Sequence, residues 1–322
     1  MKLRHQVANF TICLLASCAT LAAHAGTYPS KPVKIITQAP AGNGPDVILR
    51  IIADRLGGVW RQQPVIINRP GAGGLLAAEA AVAAEPDGYT LFDAITSTLL
   101  VLPVTKNLSF DLNRAMVPIG QAGDQPFVIA VSPSLGVNTL PELIALAKSK
   151  PGKILYAAAG RGSMPHLASE LVRSRAGIDI GFVPYPSTAQ AVQDIVGGRI
   201  SVIFEGMSAL AGPIKSGWIK PIAVTAPQRL PKFPNIPAAA ETIGGYRASG
   251  WFVLMARAGT PDAIVQKLNR DLRTVLGQPE LQEKLGKFAT YVHPMSVPET
   301  AQFIESEQKL WQPIARKLMV AQ

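Results

Sequence analysis

Cysteine is almost missing from this chain. The two present, Cys13 and Cys18, both fall at the extreme N-terminus. That excludes a disulfide scaffold and a four-thiolate zinc site. Histidine is nearly as scarce: beyond the N-terminal segment only His166 and His293 remain, far apart, which speaks against a metal centre. Charged residues are only 16% of the chain, well under the usual quarter, while 48% are apolar, so this is no disordered tail. The net charge of +10 is mild and unclustered. The densest basic group, Arg270, Arg273, Lys284 and Lys287, is interleaved with Asp271, Glu280 and Glu283, as on a solvated helical face. It gives no stripe for nucleic acid. No Gly-Lys-Ser or Gly-Lys-Thr occurs, and Gly42-Asn43-Gly44 and Gly71-Ala72-Gly73 lack the third glycine of a dinucleotide fingerprint. No cofactor is expected.

The N-terminus reads as an export address. Lys2 and Arg4 precede an apolar run from Val7 to Ala22, and Ala23-His24-Ala25 offers small residues for cleavage. Residues 1–25 are assigned to a signal peptide and the protein to the periplasm. The run is too short and mixed to span a bilayer well, and no later stretch is long and apolar enough. Leu15-Ala16-Ser17-Cys18 also fits a lipobox, in which case a lipid on Cys18 would tether the protein to a membrane.

What the chain does have is glycine and proline, 28 and 27 of them, punctuating an alternation of strands and helices. Strands are predicted at 33–37, 65–67 and 89–95, with helices opening at Asp46 and Leu75. The pattern restarts with strands at 127–131, 154–158, 182–185 and 201–204 and helices at 140–150, 167–175 and 188–196. Residues 221–237 are Pro-rich and predicted irregular. A strand at 251–255 and helices at 261–276, 279–285 and 298–318 complete the chain. Two α/β sections with mainly parallel sheets imply two lobes and a cleft.

In such sheets ligands bind where a strand hands over to a helix, and free N–H groups there favour anions. Three glycine-rich turns qualify: Pro40–Asp46, Asn68–Gly74 and Gly160–His166. Each is equally readable as a simple turn. Asp46 is a helix-start residue first and a ligand contact second. Thr96 and Ser97, which end the third strand, and Tyr185, which ends the strand at 182–185, are further candidates for ligand contact. Glu205, at a strand end, could accept a hydrogen bond from a ligand amine or hydroxyl, or serve as a local cap. Ser163 and His166 are spaced for a dyad, but Pro165 stands where a nucleophile elbow needs glycine, and a helix cap is the stronger reading of Ser163.

Several segments, in order, resemble one family. They are Tyr28-Pro29-Ser30-Lys31-Pro32-Val33, Asn68-Arg69-Pro70-Gly71-Ala72-Gly73-Gly74, Pro86-Asp87-Gly88-Tyr89-Thr90-Leu91, Val183-Pro184-Tyr185, Asp194-Ile195-Val196-Gly197-Gly198, Pro221-Ile222-Ala223-Val224-Thr225 and Ala258-Gly259-Thr260-Pro261. Together they resemble the solute receptors of tripartite tricarboxylate transporters, the Bug or TctC-type proteins, over essentially the whole chain after the signal. The resemblance implies an α/β periplasmic binding protein of two lobes, residues 26–127 plus 250–322 and residues 128–249, crossing near 127–132 and 249–256. It implies a monomer that closes on a small carboxylate and delivers it to the permease subunits of the membrane transporter. It implies that Ala41, Gly42, Asn43, Gly71, Ala72 and Gly73 hold a carboxylate, facing Ala159, Gly160, Ser163 and His166 from the other lobe. Asn43-Gly44, Tyr185-Pro186-Ser187 and Glu205 stand where the family usually has Gly-Gly, Tyr-Lys-Gly and Asp, which bears on ligand identity. A secreted hydrolase using Ser163 and His166, or a ligand-sensing partner of a membrane signalling protein, are the alternatives.

Overall fold

The computed structural model describes residues 28–185 and 187–320. The signal segment and both cysteines lie outside them. Among the described residues no helix is long and apolar enough to cross a membrane.

The chain begins with β1 (Lys34–Thr37), α1 (Gly44–Trp60), β2 (Val65–Asn68), α2 (Leu75–Val82), β3 (Thr90–Ile95) and α3 (Thr96–Leu100). Two short helices, α4 (Leu102–Thr105) and α5 (Leu112–Ala115), lead into the long strand β4 (Met116–Val131). Then come α6 (Leu140–Ser149), β5 (Leu155–Ala159), α7 (Met164–Ala176), β6 (Gly181–Tyr185), α8 (Thr188–Val196), β7 (Val202–Gly206), α9 (Met207–Lys215) and β8 (Lys220–Val224). The chain ends with β9 (Ser249–Arg257), α10 (Asp262–Leu276), α11 (Pro279–Gly286) and α12 (Val297–Val320). The helices follow local logic. In α1, Ile48, Leu49, Ile52, Leu56 and Trp60 fall on one buried face, a proline sits in the first turn, and Arg61 ends the helix in the left-handed region.

The strands form one sheet path, β2-β1-β3-β9-β4-β7-β5-β6, with β8 on the other side of β4. The blocks β2-β1-β3 and β6-β5-β7 are parallel. The crossing strands β4 and β9 pair antiparallel with their neighbours. β4 belongs to both lobes: its residues 116–126 pair with β9, and its residues 127–131 pair with β7 and β8.

Both faces of each sheet are covered, so its strands read as apolar runs. Val33, Ile35 and Leu91 pack under α1 and α10, while Ile36, Phe92 and Ala94 face α2 and α12. The core on the α12 face runs through both lobes, joining Phe92 and Trp251 to Ala158 and Leu167. On the other face each lobe keeps a core of its own.

Several segments differ from the sequence expectation, the unpredicted short helices α3, α4 and α5 among them. Residues 116–126 are strand, although Pro118, Gly120, Gly123 and Pro126 argue against one. Both glycines sit at register shifts in the β4–β9 ladder, where a Cβ would press on Leu272 or Thr290. Pro221 lies inside β8, within a segment predicted irregular, and is tolerated next to the bulge at Ile129/Ala130. Helix α9, unpredicted, carries an internal proline, Pro213.

Candidate functional site

Strand direction places the site. β3 runs antiparallel to β9, and β9 antiparallel to β4, so β3 and β4 point the same way. β4 travels from the first lobe into the second, so the C-terminal ends of β1, β2 and β3 point at the second lobe. In the second lobe β7 opposes β4, and β5 and β6 follow β7. Their C-terminal ends therefore point back. Six strand-to-helix turns face one another across the cleft.

The lobes meet at its floor. A Cβ on Gly44, the first residue of α1, would lie 2.8 Å from the Ser208 hydroxyl at the start of α9. Gln125 of β4 spans the junction: its amide nitrogen lies 3.3 Å from Ser208 Oγ and donates at 3.2 Å to the Phe288 carbonyl.

Asp46 shapes the first two turns. It is 1% exposed. Its Oδ2 accepts from the Gly42 backbone N–H at 2.8 Å and from Arg50 Nε at 2.9 Å. Its Oδ1 accepts from Asn68 Nδ2 at 2.7 Å, and Asn68 also donates to the Ala39 carbonyl. Burial pushes this carboxyl up, but the hydrogen bonds from Arg50, Asn68 and Gly42 prevail and hold it below the usual carboxylate range. Its oxygens tie turn to turn, so its structural role, not ligand contact, is the one the geometry supplies.

Gln38, at the start of the first turn, bonds it to the third and packs against the second, a role that the sequence reading missed. Its Oε1 accepts from Thr98 Oγ1 at 2.6 Å and its Nε2 donates to Ser97 Oγ at 3.0 Å. Gly74 lies against it with φ +100°, and a Cβ there would stand 1.6 Å from Gln38 Oε1 and 2.7 Å from Thr98 Oγ1. Gln38 can swing away only by giving up both bonds. Gly74→Ala is expected to cost about 2–4 kcal/mol from strain and lost hydrogen bonds. A thermal melt should show a Tm lower by roughly 4–10 °C; an unchanged Tm would mean that Gln38 relocates freely.

The main chain around these anchors is open. Ala41, Gly42, Asn43, Gly71, Ala72 and Gly73 are all exposed. Gly42, Gly71, Ala72 and Gly73 all have positive φ, which only the tight turn explains at Ala72. α1 and α2 start without any side-chain cap. Thr96 is fully buried, and its hydroxyl both accepts from the Trp251 N–H and donates to the Trp251 carbonyl, leaving nothing for a ligand.

The second lobe differs. Ala159 ends β5, and Gly160 is exposed in the turn. Ser163 Oγ caps α7 by accepting from the His166 N–H at 3.3 Å. His166 is buried, its ring stacks on Phe182 at 4.1 Å, and its Nδ1 accepts from the Gly162 N–H at 3.1 Å. Burial drives its pKa down to about 4; Glu170 opposes, Arg161 and Arg173 assist. The ring is therefore neutral with its hydrogen on Nε2, a donor. Ser187 caps α8. Tyr185 donates its hydroxyl to Asp194 at 2.6 Å, which turns it toward α8 and away from the contact expected of it. Glu205 is half-buried and accepts from the Gly206 N–H at 2.8 Å and from Thr188 Oγ1 at 3.2 Å; burial raises its pKa against those two bonds. It sits where α9 opens with no side-chain cap.

Beneath the first turn lies a second group that the sequence did not single out. Asp93 of β3 is 1% exposed. Thr37, opposite it on β1, donates to Oδ2 at 2.9 Å, and Oδ1 is buried without a hydrogen-bond partner. Burial pushes its pKa up to about 7, and Asp46 adds to the shift. Among the described residues no cluster of His, Cys, Asp or Glu could hold a metal ion.

Known proteins are similar to this chain in fold and sequence. The profile of the family described as "Tripartite tricarboxylate transporter family receptor" matches residues 48–320. Protein BugT of Bordetella pertussis is 33% identical over 298 residues, covering 91% of each chain. Among solved structures, that titled "R. palustris Rpa4515 with adipate" superposes with a TM-score of 0.83 at 28% identity, over 90% of this chain and 98% of the other. The periplasmic binding protein BugD superposes with a TM-score of 0.78 at 26% identity, over 90% and 98%.

Proposed function

The chain belongs to the receptor family of the tripartite tricarboxylate transporters, and on that premise we propose that it captures a small organic carboxylate in the cleft by closing its lobes over it. One observation carries this reading: α1 and α2 open at the cleft uncapped, whereas α7 and α8 opposite them are capped by serine. The positive helix ends of the first lobe and their N–H groups without a side-chain cap suit a carboxylate, while the Gly42 and Asn43 N–H groups, held by Asp46 and the Pro40 carbonyl, set the shape of the first turn. Ala41, Gly42, Asn43, Gly71, Ala72 and Gly73 would supply the main-chain surface, with Ser97 beside them. The second lobe answers with Gly160, Ser163, the His166 Nε2–H and, as acceptor for a ligand hydroxyl or amine, Glu205. The adipate bound by the R. palustris protein supports the carboxylate class.

Closure turns on β4 between Pro126 and Phe127 and on the start of β9, dividing residues 26–127 plus 250–322 from residues 128–249. Ligand that touches both lobes favours the closed form by its differential affinity. The protein acts in the periplasm as a monomer, after loss of residues 1–25 or tethered at Cys18. It hands its ligand to the transporter's permease subunits and turns nothing over.

A thermal-shift screen with adipate, citrate, glutamate and simple monocarboxylates tests the reading. A ligand at a hundred times its Kd adds about 2.7 kcal/mol, a shift of several degrees. Absence of any stabiliser among mono-, di- and tricarboxylates and acidic amino acids would overturn it.

A further inference from the structure

We propose that the far end of the second lobe is a seat for an anionic phospholipid surface. β5, β6, β7 and β8 begin at this end and β4 finishes there, opposite the cleft. The turns gathered at it, residues 132–139, 150–154, 177–180, 197–201 and 215–220, carry Lys150, Lys153, Arg199, Lys215 and Lys220, all exposed. Asp179 is their only acid, and Arg173 holds it at 3.4 Å. Arg199 is paired with Asp194. Among the described residues no carboxylate pairs with any of the four lysines; Lys220 bonds the neutral Asn138 Oδ1. The far end of the first lobe is different: there Lys31 stands 3.8 Å from Asp87. Lysines that look scattered along the sequence are thus collected by the fold.

Two apolar side chains stand exposed among these charges, Trp218 at 55% and Val196 at 59%. The other three tryptophans, Trp60, Trp251 and Trp311, are buried. The strand ladder sets the spacing. Val131, at the end of β4, pairs with Val202 of β7 on one side and Lys220 of β8 on the other. The turn after Val196 and the turn holding Lys215, Trp218 and Lys220 therefore flank β4 about 10 Å apart. The Ser201 N–H donates to the Leu155 carbonyl at 3.0 Å, which brings the turn with Lys153 alongside. The Trp218 N–H donates to the Pro213 carbonyl at 3.0 Å and fixes its own turn.

This chemistry suits lipid headgroups. Lysine is a point charge on a flexible stem, fitted to phosphates that move, whereas a fixed carboxylate favours the planar fork of arginine. Each lysine brought to an anionic surface adds roughly fivefold to binding. Tryptophan settles at the membrane–water boundary, with its ring among acyl chains and its N–H toward water. A molecule seated by this pole keeps its cleft clear of the membrane, so seating does not compete with capture, whatever ligand the cleft takes.

Flotation of residues 26–322, which include every described element, with vesicles tests the assignment. Vesicles of phosphatidylglycerol and phosphatidylcholine in equal parts should bind at least tenfold more tightly than phosphatidylcholine alone, and high salt should abolish the difference. Tryptophan emission should move to the blue and be quenched by brominated lipid, because Trp218 is the exposed ring. Trp218→Ala should remove both signals and weaken binding severalfold. Lys215→Glu with Lys220→Glu should weaken it more than tenfold, while Lys106→Glu with Lys284→Glu, the same charge change on the first lobe, should leave it within twofold. Circular dichroism checks that each variant is folded; should the Lys215/Lys220 pair fail to fold, Trp218→Ala and the brominated lipid still decide. No binding to the anionic vesicles, unchanged Trp218 emission on binding, or equal loss from the first-lobe pair would overturn the seat. Binding of polyglutamate without binding of vesicles would assign the patch to an acidic protein and overturn it as well.

Discussion

Asp46→Ala is expected to lower stability by about 2–3 kcal/mol and to weaken carboxylate binding more than tenfold. The side chain is buried and accepts three hydrogen bonds from three different segments. Its removal orphans the Gly42 N–H, breaks one Asn68 hydrogen bond and leaves the Arg50 guanidinium with only its bond to Asn68 Oδ1. Arg50 is half exposed, so water recovers much of its share. The Asn68 bond is the larger loss, because it holds the second glycine turn against the first. The binding effect follows from the same contact: the main-chain donors keep their identity but lose their spacing, and misplacement on the order of 1 Å costs about a hundredfold in comparable preorganised sites. The pH dependence has a definite sign. The folded pKa lies below the ordinary value, so the contribution is complete above about pH 4 and disappears as pH falls through the folded value. Urea titrations of both proteins should therefore differ at pH 7 and converge in acid. Equal stability at pH 7 would show that the two turns hold their shape without this carboxylate.

Asp93→Asn is expected to do the opposite and stabilise the protein by about 2–4 kcal/mol above pH 7. Asp93 keeps its proton up to about pH 7 because its carboxylate is buried, with a single hydrogen bond from Thr37 and with Asp46 near by. In the unfolded chain the same group ionises near pH 4. Between those values the folded state holds more protons, so stability declines as pH rises from about 4 to about 7 and stays reduced above. Asparagine is uncharged at every pH and keeps an oxygen for Thr37. The stability gain of the variant over the wild type should thus be smallest below pH 4, about a third developed at pH 5 and full at pH 8. A variant that is less stable than the wild type at pH 8 would mean that the ionised Asp93 has support beyond Thr37. The two carboxylates are packed under one turn, yet their substitutions should move stability in contrary directions, because one is hydrogen-bonded three times and the other once.

The parts of this molecule that were legible in its sequence are those fixed by local pattern. Periodicity located the parallel strands and the helices around them, and glycine clusters located the turns after β1, β2 and β5. What stayed hidden depends on residues far apart in the chain. The first part of β4 is masked by Pro118, Gly120, Gly123 and Pro126, whose tolerance comes from a bulged ladder with β9, more than a hundred residues later. β8 is masked by Pro221 for the same kind of reason. In the site, Gln38 and Asp93 look unremarkable in sequence; one gains its role from Thr98 and Gly74, the other from Thr37 across the sheet. Thr96 and Tyr185 were placed beside the ligand by position alone, while their hydroxyls belong to Trp251 and Asp194.

The network of Asp46, Asn68, Arg50 and Gln38 also bears on how such a protein can change over generations. These side chains hold the turns from behind, whereas the surface turned to the cleft is mostly main chain and small residues. Loop shape and ligand choice therefore rest on different positions. On the reading proposed above, substitutions at Asn43 or Gly160 would alter what is recognised while the scaffold that aims the backbone donors stays intact. A duplicated gene of this kind could drift toward a new nutrient in a few steps, each nearly neutral for folding, without first rebuilding the anion-holding turns.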